Sequence, residues 1–244
     1  PPAPSRCSAA AGCSSTVPEA PPAGPPHGPG RFVPAPDPRP HDSVWPAMVW
    51  PVPEGTELVG PVVTLRRVDA AADAAALFAA LDDDRVWEHL AGRPADPAGL
   101  EATLRDRADR LGWHQWLVTG TRDGEVLGTS SYLEVSAPDA RLEVGATGYC
   151  PGVWASDVNP AAKLLLLGHA FEVLGAGRVQ LKTDVRNTRS QQAIARLGAT
   201  SEGVLSRYQR RADGTVRDTA MFSVTAEQWP GVRDGLHARL GAAR

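Results

Sequence analysis

The stretch 140–199 holds the residues whose order suggests chemistry. A run typical of a strand ends at Tyr149, a short loop spans Trp154–Asn159, and Asn159-Pro160 has the cap-and-proline pattern of a helix start. The first N–H groups of a helix lack partners within the helix, and the helix dipole adds positive potential there. This arrangement can bind a phosphate group, although by itself it is more often an ordinary strand-to-helix connection.

Cys150 follows the same strand and is the candidate for covalent catalysis. A thiol nucleophile needs an activating base, and no His and Asp set accompanies Cys150 in the sequence. We interpret Cys150 as a small apolar core residue, and His114 and His169 as packed histidines. The three cysteines and six histidines show neither CxxC nor HxxxH spacing, so we expect neither a disulfide framework nor a metal site.

The elements that must position this stretch alternate between strands and helices. Alternating apolar residues and turn signals predict strands over 61–68, 115–119, 125–135, 141–149, 178–184, 203–211 and 215–225. Caps and helical periodicity predict helices over 69–81, 97–111, 159–174, 188–197 and 227–240, with a turn and short helix within 82–90. This order predicts an α/β (α+β) fold with a mixed central sheet and helices on both faces.

Residues 1–57 differ in composition from the rest of the chain. They contain sixteen of the 23 prolines and almost no periodic apolar residues, which predicts a disordered Pro-rich leader before a domain over 58–244. Met48 lies just before the first folded-looking segment, so our hypothesis is that residues 1–47 are a mis-called upstream extension. The alternative is a genuine Pro-rich linker or docking tail. The intact mass of the native protein distinguishes the two.

Charge and hydropathy exclude several classes of partner. The formal net charge is -3, whereas a general nucleic-acid surface needs a basic excess. No apolar run approaches the ~20 residues of a membrane helix, and the N-terminus lacks the apolar stretch of a signal peptide. We therefore expect a cytoplasmic, metal-free protein that binds neither nucleic acid nor membrane.

Several motifs occur in a characteristic order. Leu142–Gly145 reads LEVG, and Trp154–Lys163 contains W-x-S-x-x-N-x-x-A-K. Asp184–Gly198 contains D-x-x-N-x-x-S-x-x-A-I-x-x-L-G, and the closing hairpin carries Glu202–Leu205, Asp213-Gly214 and Arg217–Thr219. On these motifs the chain resembles the GNAT superfamily of N-acetyltransferases, specifically its ribosomal-protein alanine N-acetyltransferase (RimJ/RimL-like) branch, over about residues 60–240.

The resemblance implies a GNAT fold whose sheet of about six to seven strands splays between the fourth and fifth strands. Acetyl-CoA would enter that gap, with its pantetheine arm paired to the fourth strand at Val144 like an added strand. Its pyrophosphate would lie on the loop that contains Trp154, Ser156 and Asn159, with Lys163 in the helix that follows. An amine would then attack the thioester directly, without an acyl-enzyme intermediate.

Glu143 is the candidate general base within this framework. An attacking amine must be neutral, and a carboxylate acting through water can deprotonate an α-amine, whose pKa is about 7.7–8.0. The alternative is that Glu143 is only a solvated or salt-bridged strand residue. Asn187 and Ser190 open the helix after the fifth strand: Asn187 is expected to contact CoA and to cap the helix, and Ser190 to lie near the thioester sulfur as acid or positioning group.

Two features depart from the family pattern. The loop between Trp154 and Asn159 contains no glycine, although glycine normally lets backbone approach a phosphate. Asp157 puts a negative charge there, so we expect it to point to solvent and Lys163 to offset it. Many GNAT enzymes also carry a tyrosine acid where this chain has Ile194, which leaves Ser190 as the best local hydroxyl.

The acceptor stays open at this stage. A protein N-terminal α-amine is one candidate, and a small amine such as an amino sugar, an antibiotic or a polyamine is another. A non-catalytic acyl-CoA-binding module is the candidate from a different class. A homodimer is also consistent with the resemblance, and the apolar face of the last helix, with Trp229, is one place to look for its interface.

Overall fold

Eight strands form one mixed sheet in the computed structural model, which describes Val44 and residues 46–242. The strands are β1 (Glu57–Val59), β2 (Val63–Arg67), β3 (His114–Gly120), β4 (Val126–Ser136), β5 (Arg141–Tyr149), β6 (Arg178–Asp184), β7 (Thr200–Arg210) and β8 (Val216–Thr225). Their order across the sheet is β1-β2-β3-β4-β5-β6-β8-β7, and β5–β6 is the parallel pair. The α+β class is confirmed, with one strand more than predicted because β1 was not foreseen.

Helices cover both faces of this sheet. They are α1 (Ala70–Leu81), α2 (Asp84–Trp87), α3 (Pro97–Asp109), α4 (Val158–Gly168), α5 (Thr188–Ala195) and α6 (Trp229–Ala242). Successive side chains of β3 divide between two core clusters: Leu117 packs with α1 and α3, whereas Trp116 and Val118 pack in the larger cluster with α4 and α6. No helix in the described part of the chain is long and apolar enough to cross a bilayer.

Local capping chemistry sets where several helices begin. The Asp69 carboxylate accepts the N–H groups of Ala71 and Ala72, as predicted for α1. Asp96 caps α3 by accepting the N–H of Gly99. The start of α4 differs from the prediction, because the helix begins at Val158 and Asn159 already lies in its first turn. The predicted helix over 159–174 also changes character at its end, where His169–Val173 forms a π-helical turn.

The N-terminal boundary lies earlier than predicted. The segment 46–57, expected to be part of a disordered leader, packs against the domain: Val52 is buried, and the Val49 N–H donates to the Leu174 carbonyl at 2.8 Å. Trp50 lies edge-on to His114 at a centroid distance of 6.4 Å. The remainder of the predicted leader and most of the proposed extension over 1–47 lie outside the described residues.

The apolar face of α6 is directed into the protein. Trp229, Val232 and Leu236 are buried, and the Trp229 indole N–H donates to Glu172 at 2.7 Å. The surface around Trp229 is therefore used by the core of this chain, and the homodimer itself stays a prediction.

Candidate active site

The site is built where β5 and β6 separate. The two strands pair only through Arg141–Glu143 of β5 and Arg178–Gln180 of β6. Beyond Glu143, β5 continues paired with β4 while β6 continues paired with β8, so a gap opens between them. The fourth and fifth strands of the prediction are β5 and β6, so the splay that the resemblance implied is confirmed. The backbone of β5 after Glu143 presents an edge that no other described strand occupies.

A bulge shapes that edge of β5. Gly145 pairs with Ser131 and Gly148 pairs with Thr129, so β5 uses one residue more than β4 over this interval. Ala146 carries the distortion, with a φ of 46° in the left-handed region. A bulge interrupts regular pairing and redirects the strand, and such features concentrate next to active sites.

Glu143 lies at the point where the gap opens. The residue is 2% exposed, and its carboxylate accepts hydrogen bonds from Lys182 at 2.8 Å and Gln180 at 3.1 Å. The Lys182 ammonium also contacts Glu134 at 2.5 Å. Burial raises the pKa of Glu143, and the Lys182 charge opposes that rise. The carboxylate is therefore held in place by two partners from β6.

The loop before α4 contains no glycine, and other residues support its conformation. Ala155 takes the left-handed conformation, with a φ of 60°, that glycine usually supplies. The Ser156 hydroxyl donates to the Val153 carbonyl at 2.6 Å and accepts the Val158 N–H at 3.3 Å. Asp157 is half-buried, and its side chain makes no capping hydrogen bond.

Lys163 does not face this loop. Its ammonium is buried and donates to Thr147 Oγ1 at 2.9 Å and Ser130 Oγ at 3.3 Å. Burial without a carboxylate partner lowers its pKa to about 7. The expectation that Lys163 offsets Asp157 is therefore wrong, because the first turns of α4 direct this side chain under β4 and β5.

The start of α5 follows the end of β6. Asn187 Oδ1 accepts the Ser190 N–H at 2.9 Å, so Asn187 caps the helix as predicted. Ser190 is half-buried, and its hydroxyl makes no hydrogen bond to another described residue. Ile194, which stands where many relatives have tyrosine, is buried in the core. Cys150 is half-buried and packs against the core, as interpreted from the sequence.

Sequence reasoning missed the partners of Glu143 and two arginines. Gln180, Lys182 and Asp184 recur at every second position of β6, a period that could have indicated one polar face. On neighbouring β8, Arg217 Nε is buried without a hydrogen-bond partner among the described residues, and burial lowers the Arg217 pKa. Arg189, in the first turn of α5, lies over the Trp154 ring.

The polar groups around Glu143 are balanced in charge. Glu134 and Glu143 face Lys182, and Asp184 pairs with Arg211 at 2.5 Å on the same side of the sheet as the unpaired Arg217. Within the described residues, no group of three His, Cys, Asp or Glu side chains is arranged as a metal site. The chemistry available to these residues is proton transfer and hydrogen bonding.

Comparisons with known proteins agree with this arrangement. Residues 63–200 match the family model described as an acetyltransferase (GNAT) domain. A structure from T. thermophilus, assigned to the acetyltransferases, is 39% identical with a TM-score of 0.71, covering 79% of this chain and 100% of that one. A GCN5-related N-acetyltransferase from Brucella melitensis is 25% identical with a TM-score of 0.73, covering 80% and 88%.

A ligand-bound structure lies among the relatives. Mycobacterium smegmatis RimJ, solved in complex with CoA-disulfide, is 25% identical with a TM-score of 0.63, covering 78% of this chain and 94% of that one. No protein of curated function matches the chain significantly. Because the family model spans more than half of the chain and a 39% identical structure is covered along its whole length, this chain belongs to the RimJ/RimL-like GNAT N-acetyltransferases, which use acetyl-CoA.

Proposed function

We propose that this enzyme acetylates the α-amine of a peptide or protein N-terminus, with Glu143 as the group that accepts the ammonium proton. The observation that carries the proposal is the buried carboxylate of Glu143 at the point where β5 and β6 separate. The amine nitrogen bonds to the acetyl carbon, the carbon–sulfur bond breaks, and CoA leaves as the thiolate. The ammonium gives one proton to Glu143 through water before the attack, and the second proton that the nitrogen loses as the amide forms passes to the CoA thiolate.

The free edge of β5 fits the pantetheine arm of CoA. Residues from Val144 onward pair with no described strand on the side of the gap, so their backbone groups are available to the amides of pantetheine. Trp154, Ser156 and Asn159 are the loop residues that would lie by the pyrophosphate, and Asn187 and Ser190 border the opposite side of the gap. CoA supplies the activated thioester. The half-buried Ser190 hydroxyl is the candidate to protonate the departing thiolate.

The environment of Glu143 favours a weakly basic amine. Lys182 lies 2.8 Å from the carboxylate and limits its basicity. An α-amine with a pKa of about 7.7–8.0 is roughly one tenth neutral at pH 7, whereas an alkyl amine with a pKa of about 10.4 is neutral in only about one molecule in a few thousand. A carboxylate base therefore suits an α-amine better than an alkyl amine.

The substitution Glu143→Gln tests the role of the carboxylate. We expect kcat/KM for an N-terminal peptide to fall by about a hundredfold or more, since general-base catalysis contributes about 10²–10⁴. Binding of acetyl-CoA, followed by calorimetry, should stay unchanged. The matched control is Glu101→Gln on the outer face of α3, where Glu101 pairs only with Arg105. An unaltered kcat/KM and pH profile in Glu143→Gln would exclude Glu143 as the base.

A non-catalytic CoA-binding module is the second candidate. It is favoured by the salt bridge that occupies Glu143 and by Ile194 at the position of the usual tyrosine. A protein of this kind would bind acetyl-CoA but release no CoA thiol with any N-terminal peptide or small amine. Turnover with peptides, compared with turnover with spermidine and an amino sugar, separates the three functions.

A further inference from the structure

Arg189 lies over the Trp154 ring and has no role in the reaction proposed above. The guanidinium carbon of Arg189 lies 3.8 Å from the centre of the ring, within the range of a cation–π contact. Arg85 of α2 also approaches the ring, at 5.4 Å. The two arginines differ in their other contacts, and this difference indicates which of them is available to a ligand.

The Arg189–Trp154 contact spans the gap between β5 and β6. Trp154 belongs to the loop that follows β5, and its indole N–H donates to the Tyr149 carbonyl at 2.9 Å. Arg189 belongs to α5, which follows β6. The pair therefore joins the two sides of the gap at the end where the phosphates of CoA would lie, next to the start of α4.

Arg189 has no carboxylate partner among the described residues. Arg85, by contrast, is paired with Asp83 at 2.7 Å. Arg189 is also the second residue of α5, whose first turn contains no acidic residue. A cation at that end of a helix opposes the helix dipole. The positive charge of Arg189 therefore does not stabilise α5. Residues that break a local rule of stability in this way are often found at functional sites.

A pyrophosphate bound at the loop before α4 needs a positive charge from another element. Asp157 adds a negative charge beside the expected pyrophosphate, and Lys163 is turned under the sheet. A guanidinium that stacks through its face keeps its N–H groups free at the edge, where they match the geometry of phosphate oxygens. Arg189 can offer N–H groups to a phosphate, because its side chain is exposed and its guanidinium carbon lies 3.8 Å from the centre of the Trp154 ring with no carboxylate partner among the described residues.

We propose that Arg189 is a ligand for the phosphates of CoA and that Trp154 holds its guanidinium across the mouth of the gap before CoA binds. The inference rests on the acetyl-CoA site described above. In this proposal, a side chain from the other side of the gap compensates for the lack of glycine in the loop before α4. The pyrophosphate and the 3′-phosphate of CoA would both accept hydrogen bonds from a guanidinium. The ligands used in the test distinguish these two phosphates.

The test measures affinity by calorimetry for CoA, for 3′-dephospho-CoA and for pantetheine, which carries no phosphate. Arg189→Gln should weaken CoA binding by about tenfold to a hundredfold, the range for hydrogen bonds to charged groups, and leave pantetheine binding unchanged. Arg189→Lys should retain part of the affinity and lose it faster as salt rises. Arg196→Gln, at the other end of the same helix, removes the same charge and should bind CoA like the wild type.

The pattern of losses decides the proposal. An equal loss for CoA and dephospho-CoA assigns Arg189 to the pyrophosphate, and a loss confined to CoA assigns it to the 3′-phosphate. An unchanged or tighter affinity for CoA in Arg189→Gln would overturn the inference alone, as would an equal loss for pantetheine, which indicates packing. A wild-type protein that binds none of the three ligands would overturn the proposed function together with it.

Discussion

Glu143 and Lys182 depend on each other for their charge states. Both side chains are almost fully withdrawn from water, and their charged atoms lie 2.8 Å apart. Burial disfavours either charge alone, while each charge stabilises the other. Glu134, also in contact with Lys182, adds a second negative charge from β4. Removing one member therefore changes the protonation of the others as well as their packing.

We expect Lys182→Met to move the acid limb of the kcat/KM profile to higher pH. The Lys182 charge lowers the pKa of Glu143, so its loss leaves the effect of burial unopposed and raises that pKa further. A base with a higher pKa is protonated, and inactive, up to a higher pH. The measurement is the pH dependence of peptide acetylation. Lys182→Arg, which keeps the charge, should restore the limb. A limb unmoved in Lys182→Met would contradict this account of Glu143.

Helix α4 packs against the sheet with a buried charged side chain at the interface, which is unusual for two packed elements. The Lys163 ammonium lies among hydroxyl groups of β4 and β5, and no carboxylate of the described residues pairs with it. Ser130 and Thr147 also hydrogen-bond to each other at 2.7 Å, so they keep a partner without Lys163. The interface would accept an apolar side chain of similar length.

Lys163→Met should therefore stabilise the domain at pH 7. Burial lowers the Lys163 pKa from 10.5 to about 7, so the unfolded state binds more protons between pH 7 and 10.5 and the wild type gains stability as pH rises through that window. The penalty that the variant removes is at most about 4 kcal/mol at pH 7 and shrinks toward pH 10. Urea unfolding at several pH values measures it. A destabilised variant with the wild-type pH slope would show that the ammonium is well solvated.

The acid stability of the whole molecule is linked to its aromatic core. His114 is buried among Trp50, Trp116 and Tyr132, and its Nε2 has no hydrogen-bond partner among the described residues. Burial lowers the His114 pKa to about 4. In the unfolded chain the same group titrates near 6.5, so protonation favours unfolding over the interval between the two values.

We expect stability to fall by up to about 3 kcal/mol as pH drops from 6.5 to 4, and His114→Phe to flatten this decline. His169, whose pKa is also lowered by burial, contributes in the same direction. The pKa of Asp184 is lowered to about 2 by its hydrogen bonds with Arg211, so its effect falls below this window. Chemical unfolding of both proteins between pH 4 and 7 gives the comparison. Parallel pH slopes would show that His114 protonates freely in the folded state.

Elements whose signals are local were predictable from the sequence. The bounds of β5 and β6 agree with the structure, and Asp69, Asp96 and Asn187 cap the helices that follow them. Caps and alternating apolar residues act within a few positions along the chain, so a single sequence carries them. The order of these elements and the motifs between them were enough to indicate the family and the acetyl-CoA gap.

The tertiary structure alone decided which side chains meet. Strand β1 and the packing of residues 46–57 depend on contacts with β2 and Leu174, and composition favoured disorder there. Lys182 reaches both Glu134 and Glu143, Lys163 turns under the sheet, and Arg189 crosses to Trp154. Except for the β1–β2 hairpin, each of these contacts joins residues far apart in sequence. Their existence depends on strand register and on the angle at which α4 and α5 leave the sheet, quantities set by the assembled core and by no local stretch of the chain.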